Sequence, residues 1–145
     1  MFESVQRSYS SFCGFFSGLE ASDGNYVSIS FNRVAQEEDT VDMRCTWKNN
    51  IDDKVVAWYY NSTLTNQTAI KIWEQKKEGS IMTTSTITNM NAYRKVNATG
   101  DIFASGHAIR LSYAEESDSG YYFCTVEIHG RLYHSNQEYL QVQRK

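Results

Sequence analysis

The stretch DSGYYFC, residues 118–124, places an aspartate, a glycine and a tyrosine at fixed distances before a cysteine, in a chain with three cysteines. It opens a run of aromatic and β-branched residues that continues to Ile128. Successive side chains of a strand point to opposite faces, so Tyr122 and Cys124 share one face while Phe123 points to the other. The stretch therefore predicts a strand whose cysteine points toward an interior.

Other runs have the composition of short strands, because they are β-branched or aromatic, alternate in several cases with period two, and are separated by polar turns. They cover residues 27–31, 40–47, 55–60, 69–73, 107–113 and 138–143. Many short strands with turn signals between them indicate a sandwich or a barrel. With 145 residues, of which 41% are hydrophobic and 14% aromatic, the chain can bury one core.

The strand around Cys45 has the same sidedness as the strand around Cys124. Alternation places Cys45 on the apolar face of its strand, together with Met43 and Trp47. Another strand carries Trp58, which faces the same way as its apolar neighbours two residues away. Two inward cysteines on separate strands with an inward tryptophan beside them are the arrangement of an immunoglobulin sandwich.

On these residues the sequence resembles the variable-type domains of the immunoglobulin superfamily, over about residues 26–143. The resemblance implies an all-β fold: a V-type β-sandwich of two antiparallel sheets with one inter-sheet disulfide. That disulfide would join Cys45 to Cys124 beneath Trp58. It would close a loop of about 80 residues, to which the chain-entropy model assigns about 4 to 5 kcal/mol.

The resemblance also assigns roles to the opening stretch. Tyr122 would bond its hydroxyl back to the chain as a tyrosine corner, and Gly120 would give the sharp bend. Asp118 would pair with Arg94, which lies upstream at a suitable distance. The stretch is thus interpreted as a folding device, with no information about a ligand.

The overall outline is similar to single-domain surface proteins such as myelin protein zero and the sodium-channel beta subunits. The wide interval between the cysteines leaves room for the extra strands C-prime and C-double-prime of the variable type. No Gly-x-Gly bulge precedes the last strand, Glu138 to Gln143, so a rearranged antigen receptor is not expected.

An extracellular location follows from the expected disulfide, which persists mainly in oxidising compartments. Asn-x-Ser/Thr sequons at Asn61, Asn66 and Asn97 agree with this and predict glycan attachment. Residues 1–25 are interpreted as an N-terminal arm or a leader remnant, and residues 26–143 as the domain. Cys13 is expected to take no part in the core.

Several function classes are not expected. A net charge of −3 without a basic stripe argues against nucleic acid, and no run is long and apolar enough to span a bilayer, so membrane association would need an anchor outside this chain. His107, His129 and His134 are scattered, lack a metal-ligand arrangement, and are interpreted as solvated. We therefore expect no enzyme activity, no cofactor, no metal and no small-molecule substrate.

Recognition of a protein partner remains. In variable-type domains the sheet of strands G, F, C and C-prime often meets partners, and its outward aromatic residues are suited to protein binding. The candidate partner-binding residues are Tyr59, Trp73, Phe123, Thr125, Glu127 and Tyr139. The alternative recognition elements are the segment from His129 to Asn136 and the N-terminal arm.

We expect an extracellular recognition domain of a cell-surface adhesion or receptor protein that binds a like or unlike surface protein through this sheet. Two alternatives stay open. One is a secreted, soluble immunoglobulin-like modulator, of host or viral origin, that blocks a receptor. The other is the ectodomain of an auxiliary channel subunit.

Overall fold

The computed structural model describes residues 26–48, 53–63, 69–79, 81–86, 96–98 and 106–145. Strands dominate this part of the chain, as the sequence predicts. They are β1 (Val27–Phe31), β2 (Val34–Gln36), β3 (Val41–Trp47), β4 (Lys54–Asn61), β5 (Ile70–Glu78), β6 (Ile81–Thr86), β7 (Val96–Ala98), β8 (Gly106–Leu111), β9 (Gly120–Ile128), β10 (Arg131–His134) and β11 (Glu138–Gln143). A 3-10 turn, Glu116–Asp118, connects β8 to β9.

The described strands form two sheets. The larger has the order β2-β11-β9-β4-β5-β6, with β10 also paired to β9, and the smaller has the order β1-β3-β8-β7. All pairs are antiparallel except β2 with β11, which run parallel. Strands β11, β9, β4 and β5 correspond to G, F, C and C-prime of the variable-type sandwich, so the predicted fold class is confirmed.

The core lies between the sheets and is built by alternation. Strand β3 buries every second residue, from Val41 to Trp47, and β9 buries Tyr122, Cys124, Val126 and Ile128 on the same side. Cys45 and Cys124 form the expected disulfide, with a Cα–Cα distance of 6.3 Å. Trp58 is fully buried and lies opposite Cys124 in the β4–β9 ladder, so its predicted core position is confirmed.

Strand β10 was not predicted, because the segment after β9 reads as a loop in the sequence. His129 and Gly130 both have positive φ, at 51° and 79°, and join β9 to β10 as a two-residue hairpin turn. Such turns need left-handed backbone at both central residues, which glycine adopts without strain. The segment proposed as an alternative recognition loop is therefore largely a β-hairpin.

Ser135 lies in the gap between β10 and β11. Its side chain is fully buried, and its hydroxyl accepts a hydrogen bond from the backbone N–H of Cys124 at 3.0 Å. The Ser135 N–H in turn donates to the Cys124 carbonyl at 2.9 Å. In the gap between β10 and β11, Ser135 thus continues the pairing with β9 through its hydroxyl and its backbone N–H. These bonds help to hold the start of the last strand against β9.

Candidate recognition surface

Two tyrosines fasten the turn that leads into β9. Tyr122 donates its hydroxyl to the Asp118 carbonyl at 2.6 Å, the bond expected of a tyrosine corner. Tyr60 on β4 donates to the next carbonyl, that of Ser119, at 2.8 Å. Because the two rings lie 5.1 Å apart, they form one packed unit beneath the turn. The contribution of Tyr60 was missed, although its inward position beside Trp58 on the same strand is visible in the sequence.

Asp118, the last residue of the 3-10 turn, caps the start of that turn with its side chain. Its carboxylate accepts the N–H of Glu115 at 2.8 Å, while the Asp118 N–H donates to the Glu115 carbonyl at 2.8 Å. The Asp118 side chain is fully buried. Arg94, its expected partner, lies outside the described residues, as do Cys13, Asn66 and the whole of residues 1–25.

The interpretation of His107 as a solvated residue is wrong. His107 lies on the inward side of β8 and is fully buried, and its Nδ1 accepts a hydrogen bond from the indole Nε1–H of Trp58 at 2.9 Å. Its place opposite Cys45 in the β3–β8 ladder is what draws the ring into the core. His129 is exposed in the turn before β10, and His134, the last residue of β10, is half-buried, so burial contradicts the solvated interpretation only for His107.

The outer face is the side of the larger sheet that points away from the core. At its centre, Phe123 stacks on Tyr59 with ring centroids 4.9 Å apart and an interplanar angle of 7°. Phe123 is only 1% exposed and Thr125 only 2% exposed. The expectation that these two side chains are open to a partner is therefore wrong: alternation correctly gives their side of the strand, but the chain itself covers them.

Tyr59 is half-buried within the same cluster. Burial raises the pKa of its hydroxyl well above the ordinary value, and the carboxylates of Glu74 and Glu127 act in the same direction. A hydrogen bond with Thr125 acts in the opposite direction and lowers the pKa in part. Phe123 and Thr125 are therefore closed to a partner, and Tyr59 is open only in part.

Trp73 lies on the opposite side of the sheet from the one expected. The register between β4 and β5 shifts between Trp58 and Tyr59, so Trp73 pairs with Trp58 and Ile72 is the extra residue. Both Ile72 and Trp73 belong to the core cluster, with exposures of 1% and 6%. A bulge of this kind re-aims side chains, and period-two counting along the strand cannot detect it.

One end of the outer face remains open. Tyr139 is 42% exposed and lies opposite the half-buried Tyr121, with the two rings edge to face at 5.0 Å. Gln141, two residues further along β11, pairs with Val34, which is 54% exposed. We call Val34, Tyr121, Tyr139 and Gln141 the tyrosine patch. An ion pair between Arg33 and Glu138, at 2.8 Å, lies at the same end of β11 but on its inward side, since Glu138 pairs with the inward Tyr122.

Glu127 marks the opposite end of the same face and is exposed as expected. It pairs with Leu132 on β10 and with Val55 on β4. Six residues along β9 separate it from Tyr121, which corresponds to about 20 Å in a strand. Glu127 and the tyrosine patch therefore lie at two separate places on the outer face.

The smaller sheet carries an exposed sequon asparagine. Asn97 on β7 is exposed and pairs with Arg110 on β8. Asn61 is only 5% exposed, its amide nitrogen is buried, and its oxygen accepts the N–H of Thr63 at 3.2 Å. A glycan needs that nitrogen to face solvent, so the prediction for Asn61 is wrong.

Comparison with known proteins agrees with this geometry. Within the described ranges, no helix is long and apolar enough to cross a membrane. A comparison with the sequences of characterised proteins gives no match. The model of the immunoglobulin V-set domain family matches residues 32–143, which include both bonded cysteines and Trp58. V-set domains are generally non-enzymatic binding modules and are typically extracellular. This chain belongs to the immunoglobulin V-set domain family.

Proposed function

We propose that this chain is the extracellular recognition domain of a cell-surface adhesion or receptor protein, and that it binds a protein partner through the tyrosine patch. The observation that carries the proposal is the exposure of Tyr139, 42%, on a rigid support formed by Tyr121 at 5.0 Å. Exposed aromatic residues held in one conformation lose little entropy on binding and are enriched where proteins meet.

The patch has the composition of a protein interface. Two tyrosines and Val34 supply apolar area, and Gln141 supplies a polar edge. Such an apolar centre with a polar rim is typical of surfaces that associate reversibly. A standard interface covers about 800 Å² on each partner, which is wide enough for Glu127, about 20 Å away, to lie at its rim.

The other features of the chain support an extracellular setting. The buried disulfide between Cys45 and Cys124 persists in oxidising compartments. A glycan on Asn97 would extend from the smaller sheet, on the opposite side of the sandwich from the tyrosine patch. The glycan would therefore leave the proposed recognition surface uncovered, and we propose no enzymatic role.

The proposal is tested by binding of the purified full chain, assembled into tetramers, to a panel of intact cells and to immobilised copies of itself. Tyr139→Ala should weaken the binding by about 30-fold, since truncating an aromatic anchor costs about 2 kcal/mol. The matched control is Tyr113→Ala, because Tyr113 is 60% exposed but lies in the turn after β8.

Two results would contradict the proposal. Equal binding by the Tyr139→Ala and Tyr113→Ala variants would place the recognition surface elsewhere. Absence of binding by the wild-type tetramer, both to every cell type and to itself, would remove the recognition function.

A further inference from the structure

Four residues at the centre of the sandwich form two crosslinks side by side. Cys45 and His107 face each other across the β3–β8 ladder of the smaller sheet, and Cys124 and Trp58 face each other across the β4–β9 ladder of the larger sheet. The disulfide joins one residue of each pair. The hydrogen bond from Trp58 Nε1–H to His107 Nδ1, 2.9 Å long, joins the other two.

The chemistry of the bond fixes the state of the histidine. An indole nitrogen can only donate, so Nδ1 of His107 must carry a lone pair, and the ring is neutral with its proton on Nε2. A second proton would occupy Nδ1 and place two donors against each other. It would also create a charge on a ring that is fully buried.

Lys54 and Asp118 are the buried charged residues in the described part of the chain. Lys54 on β4 is buried, and its ammonium group lies 5.4 Å from the ring centroid of Trp47, two residues along β3 from Cys45. Asp118 lies beyond the far end of β8, where its carboxylate accepts the N–H of Glu115. On β8 itself, Arg110 points to the exposed side, where it pairs with Asp42 at 2.8 Å. Cys45 and Cys124 are bonded and do not titrate.

We propose that the Trp58–His107 hydrogen bond is an acid-sensitive crosslink between the two sheets, and that the domain loosens as the pH falls from extracellular to endosomal values. The proposal depends on the fold and not on the proposed partner. An ordinary histidine takes up a proton near pH 6.5, and the unfolded chain allows this while the folded core opposes it. The contribution to stability is therefore complete above that pH and is lost below it. Between pH 7.5 and 5.0 it corresponds to an increase of about 30-fold in the unfolding equilibrium constant.

The experiment is denaturant unfolding of the full, disulfide-bonded chain at pH 7.5 and 5.0. His107→Asn keeps an acceptor near the position of Nδ1 but cannot titrate in this range. The unfolding constant of the wild type should rise about 30-fold more than that of this variant between the two pH values. His129→Asn and His134→Asn serve as matched controls and should retain the wild-type pH dependence. Equal pH dependence of the wild type and His107→Asn would overturn the proposal.

A second measurement decides the question if His107→Asn does not fold. The ¹⁵N chemical shifts of the His107 ring in the folded wild type should report the neutral form, with the proton on Nε2, at both pH 7.5 and pH 5.5. A protonated His107 ring in the folded protein at pH 5.5 would equally overturn the proposal.

Discussion

Removal of the Tyr122 hydroxyl tests whether tyrosines hold the turn that leads into β9. In Tyr122→Phe the ring keeps its packing, but the Asp118 carbonyl loses a donor at 2.6 Å in a site where the tyrosine is 1% exposed. Water cannot readily replace the lost donor, so the free energy of unfolding should fall by about 1 to 3 kcal/mol. For a domain of this size each kcal/mol corresponds to about 4 °C, so Tm should fall by about 4 to 12 °C.

Tyr60→Phe provides an internal comparison. Its hydroxyl bonds the neighbouring carbonyl of Ser119 at 2.8 Å, but this site is only partly buried. Water can therefore compensate in part, and the expected loss is about 0.5 to 1.5 kcal/mol. Tyr121→Phe is the matched control on the same strand, because Tyr121 points to the outer face and its hydroxyl change should alter stability by less than about 0.5 kcal/mol.

The assay is thermal unfolding followed by circular dichroism, with chemical denaturation to give the free energies. The expected order of destabilisation is Tyr122→Phe, then Tyr60→Phe, then Tyr121→Phe. A Tm for Tyr122→Phe equal to that of the wild type would refute the role of the corner hydrogen bond. A loss in Tyr121→Phe as large as that in Tyr122→Phe would refute the assignment of the two faces of β9.

Two other predictions concern the framework. Gly120→Ala should lower the free energy of unfolding by about 1 to 3 kcal/mol in chemical denaturation. The reason is that a Cβ there would lie 2.5 Å from a ring carbon of Tyr60 and 2.9 Å from the Asn61 carbonyl oxygen. A variant as stable as the wild type would show that β4 and β9 do not approach this closely. Peptide mapping without reduction should recover a link between Cys45 and Cys124 and none from Cys13 to either residue, whereas a Cys13 link to Cys45 or Cys124 would contradict the framework.

The framework was predictable because its residues obey local rules. Period-two alternation places Cys45, Trp58 and Cys124 on inward faces, and the spacing of Asp118 and Tyr122 before Cys124 identifies the corner. Each of these inferences needs only the strand on which the residue lies. The bounds of β1 and β11 agree with the predicted residues for the same reason.

The state of the outer face was less predictable because it depends on neighbours from other strands. Alternation assigns Phe123 and Thr125 to the outer face, but it does not show that Tyr59 stacks on one and bonds the other. The bulge that turns Trp73 into the core is a property of the pairing between β4 and β5. Neither feature can be inferred from the order of residues along a single strand.

The burial of His107 also depends on a residue from another strand. Its position in a strand of apolar alternation indicates an inward side chain, but the polar type of the residue favours solvent. The conflict is resolved by the indole N–H of Trp58, 49 positions earlier in the chain, which supplies a partner inside the core. A buried polar residue of this kind can be anticipated only when the donor that satisfies it is known.

A side-by-side measurement of Phe123→Ala and Tyr139→Ala tests most directly the division of the outer face into a closed centre and an open patch. Phe123→Ala should lower the free energy of unfolding by about 3 to 5 kcal/mol, as expected for a buried aromatic residue. Tyr139→Ala should leave stability within about 0.5 kcal/mol of the wild type and weaken cell binding by about 30-fold. The opposite pattern, with binding lost and stability kept in Phe123→Ala and binding kept in Tyr139→Ala, would contradict both assignments.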